Sequence, residues 1–140
     1  MLIYFASSSN GDRDNLRAIR DLLMPKVEAM FYIPCFAFSG DEEKCIDPIK
    51  VMHINQVALM VSHAMVVVYE GVESIGIWRE LEIAKLREIP ACVYLHCVKR
   101  SGVSLSDVPV FARLSEVGDW LNELQEGFKN SKESEAGMVS

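Results

Sequence analysis

The stretch with the clearest chemical potential runs from Ala64 to Ala84, AMVVVYEGVESIGIWRELEIA. Met65 to Tyr69 is an unbroken apolar run rich in valine, which suits a strand buried on both faces in a parallel sheet. The run stops at Glu70-Gly71, and Ile77, Leu81 and Ala84 then recur at helical spacing. A helix therefore begins close to Gly76 and packs that stripe on the sheet. Glu80 falls in or beside its first turn, where unpaired N–H groups and the helix dipole favour an ionised carboxylate. A carboxylate nucleophile needs that form. Ser74 sits just ahead of the helix, where strand gives way to helix, and ligands of such sheets bind there.

A second group of polar residues follows the first apolar run. Leu2 to Ala6 reads as a strand, and Ser7-Ser8-Ser9-Asn10-Gly11-Asp12 then clusters turn formers ahead of a helix. Hydroxyls and backbone N–H groups at a strand-to-helix turn have the chemistry to cradle a phosphate. The same loop also suits a plain turn with a helix cap from Asp12.

These residues need a scaffold, and the rest of the chain supplies its pattern. Leu16, Ile19, Leu22, Leu23 and Val27 mark one face of a first helix, and Phe31 to Ile33 is a short second strand ended by Pro34. Cys35 to Pro48 has no periodicity and reads as a mobile loop over the site. Ile49 to Ser62 is a second helix with Val51, Ile54, Val57, Ala58 and Val61 as its apolar face. Pro90 opens a fourth strand, ACVYLHC, and Val108 to Arg113 makes a short fifth. Val117, Trp120, Leu121, Leu124 and Phe128 define a last helix. Strand and helix alternate throughout, which predicts a doubly wound α/β domain over residues 1–129, with residues 130–140 as a disordered tail.

Bulk properties exclude several classes. With 140 residues, half of them hydrophobic, the chain forms one domain with a single closed core. Fourteen basic against twenty acidic residues give a net charge of -6, which argues against nucleic acid or an anionic membrane as partner. Cys35, Cys45, Cys92 and Cys97 form no C-x-x-C pair, so reduced thiols are expected. His53, His63 and His96 are scattered, so no metal site is expected. The opening MLIYFASSSN has no signal-peptide pattern, and no apolar run is long enough to span a membrane, so a cytoplasmic protein is expected.

Four motifs together resemble the nucleoside 2-deoxyribosyltransferase superfamily and, within it, the 2'-deoxynucleoside 5'-phosphate N-hydrolases. They are the opening I-Y-F-A-S-S-S-N-G, the spacing of Ser74, Gly76 and Glu80 with Leu81 after, the Pro-led strand that follows the third helix, and Ser101-Gly102-x-x-Leu105-Ser106. The resemblance implies a five-stranded parallel sheet of the Rossmann-like or flavodoxin-like kind, and cleavage of an N-glycosidic bond. Glu80 would be the nucleophile on the anomeric carbon, and Tyr4 would hold its carboxylate in place. Ser8, Asn10, Gly11 and Ser74 would cradle a 5'-phosphate, with Arg13 as a cation and Ser106 reaching in from a homodimer partner. No cofactor is implied.

Transferases of this superfamily that use unphosphorylated nucleosides tend to carry an aspartate at the position of Ser74. A carboxylate there would repel a phosphate dianion, whereas a hydroxyl donates to one, so Ser74 leans toward a 5'-monophosphate substrate. The chain also departs from the pattern. Gln56 aligns with the base-contacting aspartate, and an amide cannot protonate a leaving nitrogen. Glu70, at the end of the central strand, is the candidate carboxyl to take over that task. His63 or Ala64 stands where an aspartate usually opens the central strand, Trp78 replaces a second glycine, and Asn10 replaces an arginine. Three other readings stay open: a deoxyribosyltransferase, a nucleotide-binding module without turnover, and a flavin binder using the Ser7 to Gly11 loop.

Overall fold

The computed structural model describes residues 1–7, 13–34, 47–71, 75–96 and 108–138. Five strands and four helices alternate in the order β1 (Leu2–Ala6), α1 (Arg13–Leu23), β2 (Met30–Tyr32), α2 (Pro48–Met60), β3 (Ala64–Tyr69), α3 (Ile75–Leu86), β4 (Ala91–Leu95), β5 (Val110–Phe111) and α4 (Leu114–Met138). The strands form one sheet in the order β2-β1-β3-β4-β5, and every pairing is parallel. This is the doubly wound five-stranded sheet flanked by helices that the alternation of elements predicts.

Alternation along the strands sorts the core into two layers. Ile3, Phe5, Ala64, Val66, Val68 and Cys92 face α1 and α4, where they meet Leu16, Ile19, Leu23, Val117 and Leu121. Tyr4, Ala6, Met65, Val67, Val93 and Leu95 face α2 and α3, where they meet Leu59, Ile77 and Ala84. Both faces of β3 are covered, so its sequence shows no polar alternation. Burial pushes the Cys92 thiol well above its ordinary range, as befits a small apolar core residue.

The chain departs from the sequence-based expectation in several places. Strand β2 lies one residue earlier than Phe31 to Ile33, and the fifth strand is only Val110–Phe111. In α1, Leu22 faces solvent and the buried stripe is Leu16, Ile19 and Leu23, continued by Val27 beyond the helix. The backbone of α4 stays helical to Met138, beyond the boundary expected at Lys129, through a run rich in the helix formers Glu, Lys and Ala.

The largest difference concerns α2. Of the expected face, Val51 is buried, but Ile54, Val57 and Val61 are exposed by 47%, 60% and 61%. The inward arc is instead Val51, Asn55, Ala58 and Leu59, continued by Ser62. The cause is compositional: PIKVMHINQVALM is apolar around most of its circumference, so periodicity does not select a face. Asp47 caps this helix, its carboxylate accepting from Ile49 N at 3.0 Å.

The two positions weighed for the opening of the central strand divide cleanly. Ala64 is fully buried. His63 carries the polar role: its Nδ1 accepts the Leu2 N–H at 2.9 Å, while its own N–H donates to Leu2 O at 2.8 Å. Phe128 of α4 packs against the ring edge-on, 5.7 Å between centroids.

Candidate functional site

In a sheet of this order the connections run to opposite sides on leaving β1 and β3, which opens a crevice beyond the carboxyl ends of those two strands. Both leading candidates come from there. Tyr4 lies on β1, fully buried on the α2/α3 face, and Glu80 hangs from α3, the helix that follows β3. They are 76 positions apart in sequence, yet the Tyr4 hydroxyl donates to Glu80 Oε1 at 3.1 Å. Two residues further along β1 the same face carries only the methyl of Ala6.

The electrostatics of Glu80 differ from the sequence-based expectation. Because α3 begins at Ile75, Glu80 is its sixth residue and lies in the second turn, past the unpaired N–H groups. Burial dominates there and pushes its carboxyl up to about 7, with the Tyr4 hydrogen bond acting in the opposite direction. Its other oxygen, Oε2, is buried and receives no hydrogen bond from any described residue. A desolvated carboxylate oxygen with an open lone pair is a strong nucleophile toward an electrophilic carbon once ionised.

The remaining candidates divide into three groups. Ser8, Asn10, Gly11, Ser74 and Ser106 lie outside the described residues, as do Asp12 and the 35–46 part of the expected mobile loop. Arg13 opens α1 directly after the first loop, and Gly76 is exposed in the first turn of α3. Gln56 is half-buried on α2, but the polar link toward the site runs through its neighbour. Asn55 Oδ1 accepts from the Tyr32 hydroxyl at 3.0 Å, and the Tyr32 ring stacks on Tyr4 with centroids 5.5 Å apart and planes 21° from parallel.

Tyr32 and Asn55 were not among the sequence candidates. The only available signal for Asn55 was a pair of amides in an otherwise apolar helix, and choosing between Asn55 and Gln56 requires knowing which arc of α2 faces inward.

Glu70 follows β3 and has a buried Oε1 without a hydrogen bond from any described residue. The alternation of β3 assigns it to the set facing α1 and α4, opposite to Tyr4 and Glu80. Gly71 then turns the chain at φ 90°, a conformation that only glycine adopts without strain. Trp78 is on the outer side of α3, half-exposed, where it lines a cleft of about 520 Å³ with Leu81, Lys85, Pro109 and Trp120. That cleft extends to Ala91, the first residue of β4, and so runs toward the opposite end of the sheet from the crevice. Among the described residues no group of His, Cys, Asp and Glu converges to hold a metal ion, and no helix is long and apolar enough to cross a membrane.

The architecture and the crevice define a doubly wound α/β domain with a buried Tyr–Glu pair at its switch point. Its backbone is similar to that of the 2-deoxyribosyltransferase from the psychrotolerant bacterium Bacillus psychrosaccharolyticus, with a TM-score of 0.58 and 13% identity. The match covers 84% of this chain and 90% of that one, so the two share the whole fold rather than a fragment. No protein-family model matches the sequence, and no curated protein matches it.

Proposed function

We propose that this chain is an N-glycosidase that cleaves a nucleoside 5'-monophosphate through a covalent glycosyl-Glu80 intermediate. The observation that supports the reading is the buried Glu80 carboxyl on α3, which accepts from Tyr4 at one oxygen and receives no hydrogen bond from any described residue at the other. In the first step Glu80 attacks the anomeric carbon of the sugar, and the carbon–nitrogen bond breaks. The base departs with that electron pair and takes up a proton from solvent. In the second step water attacks the same carbon and gives up one proton to solvent, the ester bond to Glu80 breaks, and the sugar phosphate leaves with the carboxylate restored. Two displacements on one carbon retain its configuration. Ser8, Asn10 and Gly11, which precede α1 in sequence, and Ser74, which precedes α3, are the phosphate ligands in this reading.

The second reading, transfer of the sugar to another base, is favoured by one observation: the backbone is similar to that of a 2-deoxyribosyltransferase. One assay separates the two. The chain is incubated with ribo- and deoxyribonucleosides and their 5'-monophosphates, each with and without a second free base. Free base plus sugar phosphate from a monophosphate alone supports hydrolysis, and a new nucleoside only when the second base is present supports transfer. Release from none of these substrates overturns both.

We further propose a homodimer built on α2, with Ser106 contributed across the interface. Ile49, Ile54, Val57, Met60 and Val61 are exposed by 41% to 61% and fall on one continuous arc of that helix or its C-cap. An apolar helix face of this kind on a single chain is characteristic of a contact surface, and twofold symmetry would pair it with itself.

A further inference from the structure

We propose that Tyr32 and Asn55 are positioning residues for Glu80: together they clamp the Tyr4 ring from β2 and α2, so that its hydroxyl stays on the carboxylate. Calling that carboxylate a nucleophile rests on the function proposed above; the clamp itself does not.

Four side chains from four elements make one continuous line, Asn55 on α2, Tyr32 on β2, Tyr4 on β1 and Glu80 on α3. The links are 3.0 Å from the Tyr32 hydroxyl to Asn55, 5.5 Å between the stacked rings, and 3.1 Å from the Tyr4 hydroxyl to Glu80. Tyr4 and Tyr32 are register partners on adjacent parallel strands, so their rings share one face of the sheet. Yet β2 is an edge strand of three residues paired only to β1, a weak support for a ring that must hold its angle. The hydrogen bond to Asn55 adds an anchor from α2. Asn55 is itself fixed, since it sits one helical turn from both Val51 and Leu59, which are buried.

The clamp matters because the last link is long for a hydroxyl on a carboxylate, where 2.5 to 2.7 Å is usual for a strong bond. A small rotation of the Tyr4 ring would lose it. Glu80 would then be buried with neither oxygen held, and free to turn away from the crevice. A plain aromatic core contact needs no hydroxyl on Tyr32 and no acceptor on Asn55, and that difference is measurable.

The test is a carbon-13 NMR titration of the Glu80 carboxyl in the substrate-free chain, with the signal assigned through Glu80→Gln. The parent should titrate at about 7, raised by burial of the carboxyl. Tyr4→Phe should raise the midpoint by about one pH unit, the equivalent of one net hydrogen bond to a charged group. Tyr32→Leu and Asn55→Ala should raise it in the same direction, and neither should add anything in the Tyr4→Phe background. Tyr32→Phe removes one oxygen and keeps the stacked ring, so it carries the test if Tyr32→Leu does not fold. It too should titrate above the parent. Parent-like midpoints in Tyr32→Phe and Asn55→Ala, or further shifts on top of Tyr4→Phe, would overturn the clamp. The titration uses no substrate, so failure of base release with every nucleotide would count against the proposed function and leave this result standing.

Discussion

Glu80 is where stability and reactivity pull against each other. Its folded-state value of about 7 lies above the ordinary 4.5, so between those two pH values the folded chain keeps a proton that the unfolded chain has released. Stability from this group is therefore full below about pH 4.5 and is lost as pH rises through 7, by about 3 kcal/mol in all. Glu80→Gln removes the charge and keeps the shape. Denaturant melts should show this variant about 3 kcal/mol more stable than the parent at pH 8 and no more stable at pH 4.5. The same substitution should lower single-turnover base release by about 10³-fold or more, since an amide forms no glycosyl ester. Equal stability of the two proteins at pH 8 would show that the carboxyl is better solvated than its burial indicates.

A rate profile gives an independent view of the same group. An ionised nucleophile requires kcat/KM to rise with pH and level off above the free-enzyme value of Glu80, about 7. A profile that is flat from pH 5.5 to 8 would remove Glu80 from the nucleophile role. Much of this residue was readable in advance: the valine-rich strand, the break at Glu70-Gly71 and the stripe of Ile77, Leu81 and Ala84 mark where Glu80 must lie. Its state of ionisation was not readable, because that turns on whether α3 starts at Ile75 or two residues later, and on burial from a strand far away in sequence. The Tyr4 contact spans 76 positions, and no spacing rule encodes it; the opening motif suggested it only through the resemblance.

Among the elements, α2 does the most varied work. One arc anchors Tyr32 through Asn55, the opposite arc is apolar and exposed, and Asp47 caps the first turn. Removing the cap by Asp47→Ala should cost about 1 kcal/mol in a urea melt, as for other carboxylate caps. A loss below about 0.3 kcal/mol would mean that the helix start is held by packing alone. This is also the element that sequence periodicity misjudged. Valine, alanine and leucine on the inward arc and isoleucine, valine and methionine on the outer one satisfy a 3.6-residue repeat in more than one register, so the pattern identifies a helix without identifying its inward face. β3 posed no such problem, since a strand buried on both sides has no face to choose.

For the whole molecule, the exposed arc of α2 predicts a quaternary state. The Ile54→Asp, Val57→Asp double variant places two charges on that arc and touches none of the buried core positions. The parent should sediment as a dimer at micromolar concentration, and the double variant as a monomer with an unchanged circular dichroism spectrum. A parent that is monomeric at those concentrations would leave the apolar arc without its proposed partner.

The sheet order carries one more implication, for the life of the chain before it is folded. Strand β1 is an interior strand of the sheet, yet one of its neighbours, β3, begins 61 positions after Ile3, its register partner. On a ribosome adding about 5 to 20 residues each second, LIYFA therefore leaves the exit tunnel several seconds before Ala64 to Tyr69 exists to cover its flank. Helix α1 and strand β2 can shield it only on one face and one edge. During that interval an apolar β-forming segment is open to neighbouring nascent chains. An isolated fragment of residues 1–62 should accordingly aggregate or stay unstructured, whereas the full chain should refold in one cooperative step. Synthesis, rather than the finished fold, is the moment at which this protein is most exposed to misassociation.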